Sequence, residues 1–316
     1  MSDSPFRTVT IVGATGTLGY HIADAFLNDG SYKVKILRRN PENVNAKANS
    51  LAERGAEIVY ADYGQKDDLV KALKGTDVLV STVSYKQGND NNSFYEVQLP
   101  LLNAAKEAGV KRFIPSEFGS EFKGLSHQLS DDKAKFRAEV EKSGLEYTII
   151  FTGLFYEFLD WIGFDVKKKK ATFYTDPNLT ISTTSLHDVG KYTVESLKIP
   201  EARNAHIRVA GTTLSFNELL KKFEEASGEC LTFHSKQLHL KWELMMTIVK
   251  GSKWEVVEDR EIRKRFREKI DPVPLPHEEM KAFICENARF AKTDNDKFSF
   301  TPSSINDAIE ALVKGA

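Results

Sequence analysis

A run of glycines near the start of the chain has the spacing to do chemistry. Residues 12–19 read Val-Gly-Ala-Thr-Gly-Thr-Leu-Gly, a G-x-x-G-x-x-G pattern directly after a short β-branched segment. The first glycine permits a tight turn, the second lets backbone approach a pyrophosphate, and the third lets a helix pack closely on the strand. N–H groups at the start of that helix bind phosphate oxygens. The pattern predicts a bound dinucleotide, contacted by Gly13, Thr15, Gly16, Thr17, Leu18 and Gly19.

Basic residues follow the second expected strand, at the position whose side chains distinguish NAD from NADP(H). NAD-binding proteins usually carry Asp or Glu at this point to hold the ribose 2′-hydroxyl. Here the chain reads Ile-Leu-Arg-Arg-Asn at 36–40, with Lys47 nine residues after Arg38. A guanidinium attracts a 2′-phosphate and can bind it through two hydrogen bonds, whereas a carboxylate would repel it. The pattern favours NADP(H) held by Arg38 and Lys47; the alternative is that both arginines, Arg38 and Arg39, are solvated surface charges.

The segments around these motifs alternate between strands and helices. Short β-branched runs predict strands at 8–12, 32–37, 56–60, 77–83, 112–115 and 147–151. Apolar residues at helical spacing predict helices at 18–27, 97–108 and 131–143. Strands that alternate with helices form parallel sheets with right-handed crossovers. We therefore expect an α/β fold, a Rossmann-type doubly wound parallel sheet, over residues 1–155.

The pattern becomes less regular after about residue 155. The expected elements there are paired or edge strands at 172–184 around a turn at 176–178, and helices at 186–197, 216–226 and 256–269. We expect residues 156–316 to form mainly a smaller C-terminal substrate-binding domain. The segment 172–197 is expected to pack back on the first domain.

Composition excludes several classes of protein. The 316 residues are 41% hydrophobic and 28% charged, which is typical of a soluble globular protein with an ample core. A formal net charge of −1 offers no field for nucleic acid or an acidic membrane. The sequence has no apolar stretch of 18 residues and no signal-peptide pattern at its start. Cys230 and Cys285 could form one disulfide, but so few cysteines favour a reducing compartment. We expect a cytoplasmic protein without nucleic-acid or membrane partners.

Other patterns carry less chemistry. The seven histidines show no metal-ligand spacing, so no metal is expected, and His234 and His239 are interpreted as ordinary surface or core residues. The four lysines at 167–170 are typical of a solvated loop. Three apolar residues on an expected helix are interpreted as core, with an apolar pocket as the alternative: Trp242, Met245 and Met246.

Several short segments together are more specific than the glycines alone. The chain carries Ser-Thr-Val at 81–83 after the fourth strand and Lys-Arg-Phe-Ile-Pro-Ser-Glu-Phe-Gly at 111–119. With the glycine loop and the Arg38/Lys47 pair, these resemble the isoflavone reductase-like branch of the NmrA-like family. Its members are atypical short-chain dehydrogenase/reductase relatives and include phenylcoumaran benzylic ether, pinoresinol–lariciresinol and isoflavone reductases. The resemblance is close to about residue 155 and looser beyond it.

The resemblance implies a catalytic lysine. In that family a Lys-x-Lys-x-Arg pattern carries the proposed general acid or base, and here it reads Lys133-Ala-Lys135-Phe-Arg137. Lys133 would exchange the proton, and Arg137, one helical turn on, would help hold the cofactor. A partly desolvated ammonium beside a positively charged nicotinamide has a lowered pKa and can exchange a proton near neutral pH. From the charge pattern alone, a solvated helix lysine is the alternative.

The resemblance also implies further cofactor contacts: Thr82, Val83, Gln98, Ser116 and Phe155. Phe155 would lie beside the nicotinamide ring, with an ordinary core phenylalanine as the alternative; for Gln98 the alternative is a polar helix cap. Plant members often carry Asn two residues before that aromatic, and this chain has Gly153.

None of the ten tyrosines is followed by lysine four residues later, so the Tyr-x-x-x-Lys pair of ordinary short-chain dehydrogenases is absent.

These observations predict an NADPH-dependent oxidoreductase. It would transfer hydride to a small, largely apolar substrate such as a ketone, enone, benzylic ether or imine, with Lys133 as general acid or base. The alternative is a non-catalytic NADP-sensing regulator of the NmrA-like type, which needs the glycine loop but no acid–base residue. The sequence is compatible with a monomer or a weak homodimer.

Overall fold

The computed structural model describes residues 4–39, 42, 44–84, 93–122, 128–228, 254–258 and 277–315. Its contacts divide the chain into two compact units. The first comprises Met1–Thr152, Leu186–Val209 and Ala291–Thr301, and the second comprises Gly153–Ser185, Ala210–Phe290 and Pro302–Ala316. The chain therefore passes from one unit to the other several times. The division at residue 155 into cofactor-binding and substrate-binding parts concerns function and stays a prediction.

The described part of the first unit contains a seven-stranded parallel sheet. Its strands are β1 (Thr8–Val12), β2 (Lys33–Arg38), β3 (Glu57–Tyr60), β4 (Val78–Ser81), β5 (Arg112–Ile114), β6 (Glu146–Phe151) and β11 (Ala205–Arg208). The spatial order is β3-β2-β1-β4-β5-β6-β11, with every neighbouring pair parallel. The direction of strand addition reverses at β1, which lies between β2 and β4. This confirms the predicted Rossmann-type sheet and opens a crevice at the carboxyl ends of β1 and β4.

Helices connect these strands and cover the sheet. They are α1 (Thr17–Asp29), α2 (Ala46–Glu53), α3 (Lys66–Leu73), α4 (Phe94–Ala108), α5 (Gln128–Lys142) and α6 (Leu186–Glu195). Because helices cover both faces of a parallel sheet, β4 is buried along its whole length, as is β1 after its first residue. Helix α6 lies closely on α1, where a Cβ at Gly190 would stand 2.6 Å from the carbonyl oxygen of His21.

Local capping explains where α4 begins. The Ser93 side chain accepts a hydrogen bond from the Glu96 amide, and the Glu96 carboxylate accepts one from the Ser93 amide. This reciprocal pair satisfies two amides that a helix start otherwise leaves open. The helix therefore begins at Phe94, one turn earlier than the apolar spacing predicts, and ends at Ala108, where Gly109 caps it in the left-handed conformation.

The described part of the second unit contains two small sheets. Its strands are β7 (Leu154–Phe155), β8 (Phe164–Asp165), β9 (Lys170–Phe173), β10 (Thr180–Thr184), β12 (Thr212–Ser215) and β13 (Glu255–Glu258). They form the orders β12-β10-β7 and β13-β9-β8. Its helices are α7 (Phe216–Ala226), α8 (His277–Glu286) and α9 (Ile305–Lys314). Stacked aromatic rings build part of the core, with the centroids of Phe164 and Phe223 4.7 Å apart.

Two sequence predictions in this unit are wrong. The strands expected around the turn at 176–178 are neither paired with each other nor edges, since β9 and β10 are the central strands of different sheets. The helix expected from Val256 is replaced at its start by β13, because Val256 and its neighbours pair in parallel with β9. The remainder of that segment lies outside the described residues, as do Cys230, His234, His239, Trp242, Met245 and Met246.

Within the described ranges, no helix is long and apolar enough to cross a membrane. Nor do these residues contain a group of three or more His, Cys, Asp or Glu side chains that could hold a metal ion.

Candidate active site

The glycine loop forms a cradle between β1 and α1. Gly13 adopts the left-handed region with φ of 84°, and its carbonyl accepts a hydrogen bond of 2.8 Å from the Gly16 amide. A Cβ at Gly13 would stand 2.6 Å from Oγ1 of Thr82, and one at Gly19 would stand 2.2 Å from the carbonyl oxygen of Gly13. Real side chains cannot approach so closely, so glycine at both positions lets the loop and helix close on β4.

The start of α1 remains accessible. Gly16 occupies the cap position without a capping side chain, and the first turn carries no acidic residue. Gly16 and Thr17 are exposed, whereas Thr15 and Leu18 are half-buried. Open amides at the positive end of a helix dipole suit the negative charge of a phosphate.

Hydrogen bonds connect the loop after β4 with the loop after β5. Thr82 Oγ1 donates to the carbonyl of Val12 at 2.7 Å, which fixes the end of β4 to the end of β1. Ser116 Oγ donates to the carbonyl of Val83 at 2.7 Å, and the Ser116 amide donates to Gln98 Oε1 at 2.9 Å. The structure therefore brings Thr82, Val83, Gln98 and Ser116 together at the carboxyl edge of the sheet.

The side-chain amide nitrogen of Gln98 is unused as a hydrogen-bond donor within the described structure. It is fully buried in the second turn of α4, so its interpretation as a polar cap is wrong. The contact with the Ser116 amide identifies Oε1, since only the oxygen of the side-chain amide can accept. The remaining atom, Nε2, has no hydrogen-bond partner within the described structure. An unsatisfied buried amide costs free energy unless a ligand or water accepts its proton.

The predicted basic pair lies at the end of β2 and the start of α2. Arg38 is half-buried, with Cζ 5.8 Å from the ring centroid of Tyr60. Lys47 is exposed in the first turn of α2, with Nζ 5.6 Å from the ring centroid of Tyr20. Sequence reasoning missed these two tyrosines, and only the tertiary pairing of β2 with β3 and of α1 with α2 reveals them. Arg39, next along the chain, is exposed.

Lys133 is buried on the inner face of α5. The buried positions of this helix recur every three or four residues at Ser130, Lys133, Phe136 and Val140, so the lysine occupies a core position. Its Nζ donates to the carbonyl of Glu117 at 2.6 Å and lies 3.8 Å from Oε1 of the same residue. The interpretation of Lys133 as a solvated helix lysine is therefore wrong.

A second cation shares the Glu117 carboxylate. Arg137 Nη1 donates to Glu117 Oε1 at 2.9 Å, and Glu117 is 2% exposed. Burial lowers the pKa of the Lys133 ammonium below its ordinary value, the charge of Glu117 opposes this effect, and the charge of Arg137 adds to it. Glu117 received no role from the sequence, although it is the one acidic residue of the Pro-Ser-Glu-Phe-Gly segment.

Phe155 lies in the second unit, unlike the other residues predicted to bind the cofactor. It ends the two-residue strand β7, which pairs with β10, and it is half-buried. Its ring packs edge-to-face on Phe158, with centroids 5.7 Å apart. Gly153, two residues earlier, has φ of 65°, and a Cβ there would stand 2.0 Å from the carbonyl oxygen of Ser182. The asparagine of the plant relatives would therefore not fit at this backbone position.

The strand order and the glycine cradle define a Rossmann-type dinucleotide-binding protein. Residues 5–272 match the NmrA-like family, and the chain belongs to that family.

Individual relatives agree with this placement. The chain is 31% identical to phenylcoumaran benzylic ether reductase of Pinus taeda over 240 residues, which cover 71% of this chain and 76% of the relative. It is 31% identical to pinoresinol reductase 1 of Arabidopsis thaliana over 239 residues, covering 70% and 74% respectively. Among solved structures, the leucoanthocyanidin reductase–NADPH complex of Vitis vinifera has the same fold, with a TM-score of 0.73, 23% identity and coverage of 97% of this chain and 99% of that one.

Proposed function

We propose that the protein is an NADPH-dependent reductase in which Lys133 delivers a proton to the substrate. The observation that carries this proposal is a buried ammonium on α5, which donates to the carbonyl of Glu117. Glu117 directly follows Ser116, for which the resemblance implies a cofactor contact. A lysine occupies such a position rarely unless its charge is paired or used. The relatives described above are named as reductases.

The residues present fit the cofactor. The glycine cradle and the open start of α1 suit the pyrophosphate, and Arg38 with Lys47 suits a 2′-phosphate. The unused Nε2 of Gln98 could donate to a carbonyl such as that of a carboxamide. NADPH, when bound, supplies the hydride that forms the new C–H bond.

The chain itself supplies the proton. As charge develops on the substrate oxygen or nitrogen, an N–H bond of Lys133 breaks and an O–H or N–H bond forms on the substrate. Lys133 is left as a neutral amine and regains its proton from water. Because burial lowers the pKa of Lys133, this transfer becomes easier near neutral pH than it would be for an exposed lysine. The class of substrate that needs both hydride and proton includes ketones, enones, imines and benzylic ethers.

Comparison of Lys133→Ala with Lys135→Ala tests this function. Lys135 lies on the same helix but is exposed, with its ammonium 3.9 Å from the ring centroid of Tyr95. We expect Lys133→Ala to reduce NADPH oxidation by about 10²–10⁴-fold with an active substrate. It should retain NADPH binding, whereas Lys135→Ala should change neither. Equal activity of the two variants would refute the role of Lys133. If the wild type binds NADPH but turns over none of the four substrate classes, the result would favour the alternative function, a non-catalytic NADP-sensing regulator.

A further inference from the structure

Glu117 contacts the Lys133 ammonium through two different groups. Its backbone carbonyl accepts a proton from Nζ at 2.6 Å, and its carboxylate Oε1 lies 3.8 Å from the same nitrogen. The carbonyl contact fixes the position of the ammonium and persists whether or not the carboxylate is charged. The carboxylate acts on the charge. Glu117 therefore combines a positioning contact and an electrostatic contact on one residue.

The carboxylate is shared with a closer cation. Arg137 Nη1 lies 2.9 Å from Oε1, nearer than Lys133 Nζ at 3.8 Å. In an isolated buried lysine–glutamate pair, loss of the lysine proton would leave a buried carboxylate without compensation, which is strongly unfavourable. Here Arg137 continues to compensate Glu117 after Lys133 becomes neutral. The group of three charges is therefore compatible with both protonation states of Lys133.

Three other carboxylates on the neighbouring elements have partners of their own. Asp132 accepts a hydrogen bond from the amide of Phe94 in α4, and Glu121 pairs with Arg208 at the end of β11. Glu146 of β6 pairs with the arginine that begins β5. The charges that act on Lys133 in the described structure are those of Glu117 and Arg137.

Aromatic rings complete the surroundings of the ammonium. The ring centroids of Phe94 and Phe122 lie 5.1 Å and 5.7 Å from Nζ. Such rings attract a cation but provide no proton acceptor. They therefore add to the preference for the charged form without competing for the proton.

We infer that Glu117 is a positioning residue whose carboxylate, divided between Lys133 and Arg137, sets the pH range in which Lys133 carries its transferable proton. This inference rests on the proposed acid–base role of Lys133. Arg137 is in turn the counter-cation that keeps Glu117 charged when Lys133 is neutral. The two neighbours oppose each other, so their removal should move the titration of Lys133 in opposite directions.

Titration of Lys133 in the protein without cofactor tests the inference independently of activity. The lysine Cε atoms would be labelled with ¹³C and their chemical shifts followed against pH, with Lys133→Ala identifying the signal. We expect Glu117→Gln to move the midpoint downward by about 1–3 pH units and Arg137→Gln to move it upward. Glu141→Gln removes the same charge from the helix that carries Lys133, at a surface site paired with His206, and should leave the midpoint in place.

The outcomes separate the inference from the proposed function. No movement, or movement in the same direction in both variants, would overturn the role of Glu117. If Glu117→Gln does not fold, the direction in which Arg137→Gln moves the Lys133 midpoint still tests the inference. Glu117→Asp, which keeps the carboxylate, should have a midpoint close to that of the wild type. Opposite movements accompanied by parallel movements of the pH–activity profile support both statements. Opposite movements with an unchanged profile support the inference and refute Lys133 as the proton donor.

Discussion

Replacement of Arg38 should weaken the binding of NADPH but not that of NADH. Its half-buried guanidinium ends β2, and a hydrogen bond from a charged group to a phosphate contributes about 1.5–3 kcal/mol. At about 1.4 kcal/mol per factor of ten, Arg38→Ala should weaken NADPH binding by about 10–150-fold. NADH lacks the 2′-phosphate, so its affinity should stay nearly constant.

Lys47 should contribute less than Arg38 because it is exposed. Pairs between exposed charges contribute about 0.2–1 kcal/mol, so Lys47→Ala should weaken NADPH binding by no more than about fivefold. The effect of Lys47 should also decline as salt is raised from about 0.01 M to 0.15 M, since the screening length falls from about 30 Å to 8 Å.

Fluorescence titration of the nicotinamide with each coenzyme would measure these differences. Arg39→Ala is the matched control, because it removes the same charge one residue further along at an exposed position near Tyr63. Equal losses for Arg38→Ala and Arg39→Ala would refute the assignment of the 2′-phosphate to Arg38. So would a loss in Arg38→Ala that is the same for NADPH and NADH.

Two further predictions concern the frame of the site. Gly19→Ala places a Cβ 2.2 Å from the Gly13 carbonyl, so it should abolish NADPH binding and lower the melting temperature, whereas Gly64→Ala, which has room for its Cβ, should do neither. Burial raises the pKa of Asp77, but hydrogen bonds from Lys111 and the Arg7 and Thr8 amides outweigh it, so the net pKa lies below 3.8. Asp77→Asn should therefore cost about 1–3 kcal/mol near neutral pH, with a difference in urea unfolding that shrinks as pH falls below 3.8; a constant difference would contradict this.

The strands β1 to β6 of the first sheet were predicted because their signals are local, whereas the seventh strand, β11, was not predicted. Each β-branched run was long enough to identify a strand, and the glycine spacing between Gly13 and Gly19 is dictated by contacts within one strand–turn–helix unit. Arg38 could be placed at the carboxyl end of β2 for the same reason. Residues 172–184 and 256–258 were predicted wrongly, because strand partners distant in the sequence decide their structure.

The burial of Lys133, the candidate proton donor, could be predicted only in part from the sequence. Lys133 stands in a run of charged residues, and that composition predicts a solvated helix face. Its spacing to Phe136 and Val140 places it on the buried face instead, which the helical period alone would have indicated. The family resemblance selected the residue without showing its surroundings.

The sequence by itself determined the dinucleotide loop, the parallel sheet and the family, and it predicted a basic pair for a 2′-phosphate. These follow from residues close together in the chain, where backbone geometry and charge act over short separations. Only the tertiary structure decided that Glu117 lies between Lys133 and Arg137, and that Gln98 keeps a buried donor unused. The contacts of Glu117 join a loop to residues of α5 that are 16 to 20 positions away, and the contact of Gln98 joins α4 to the end of β5. Protonation depends on the distances between such groups and on their burial.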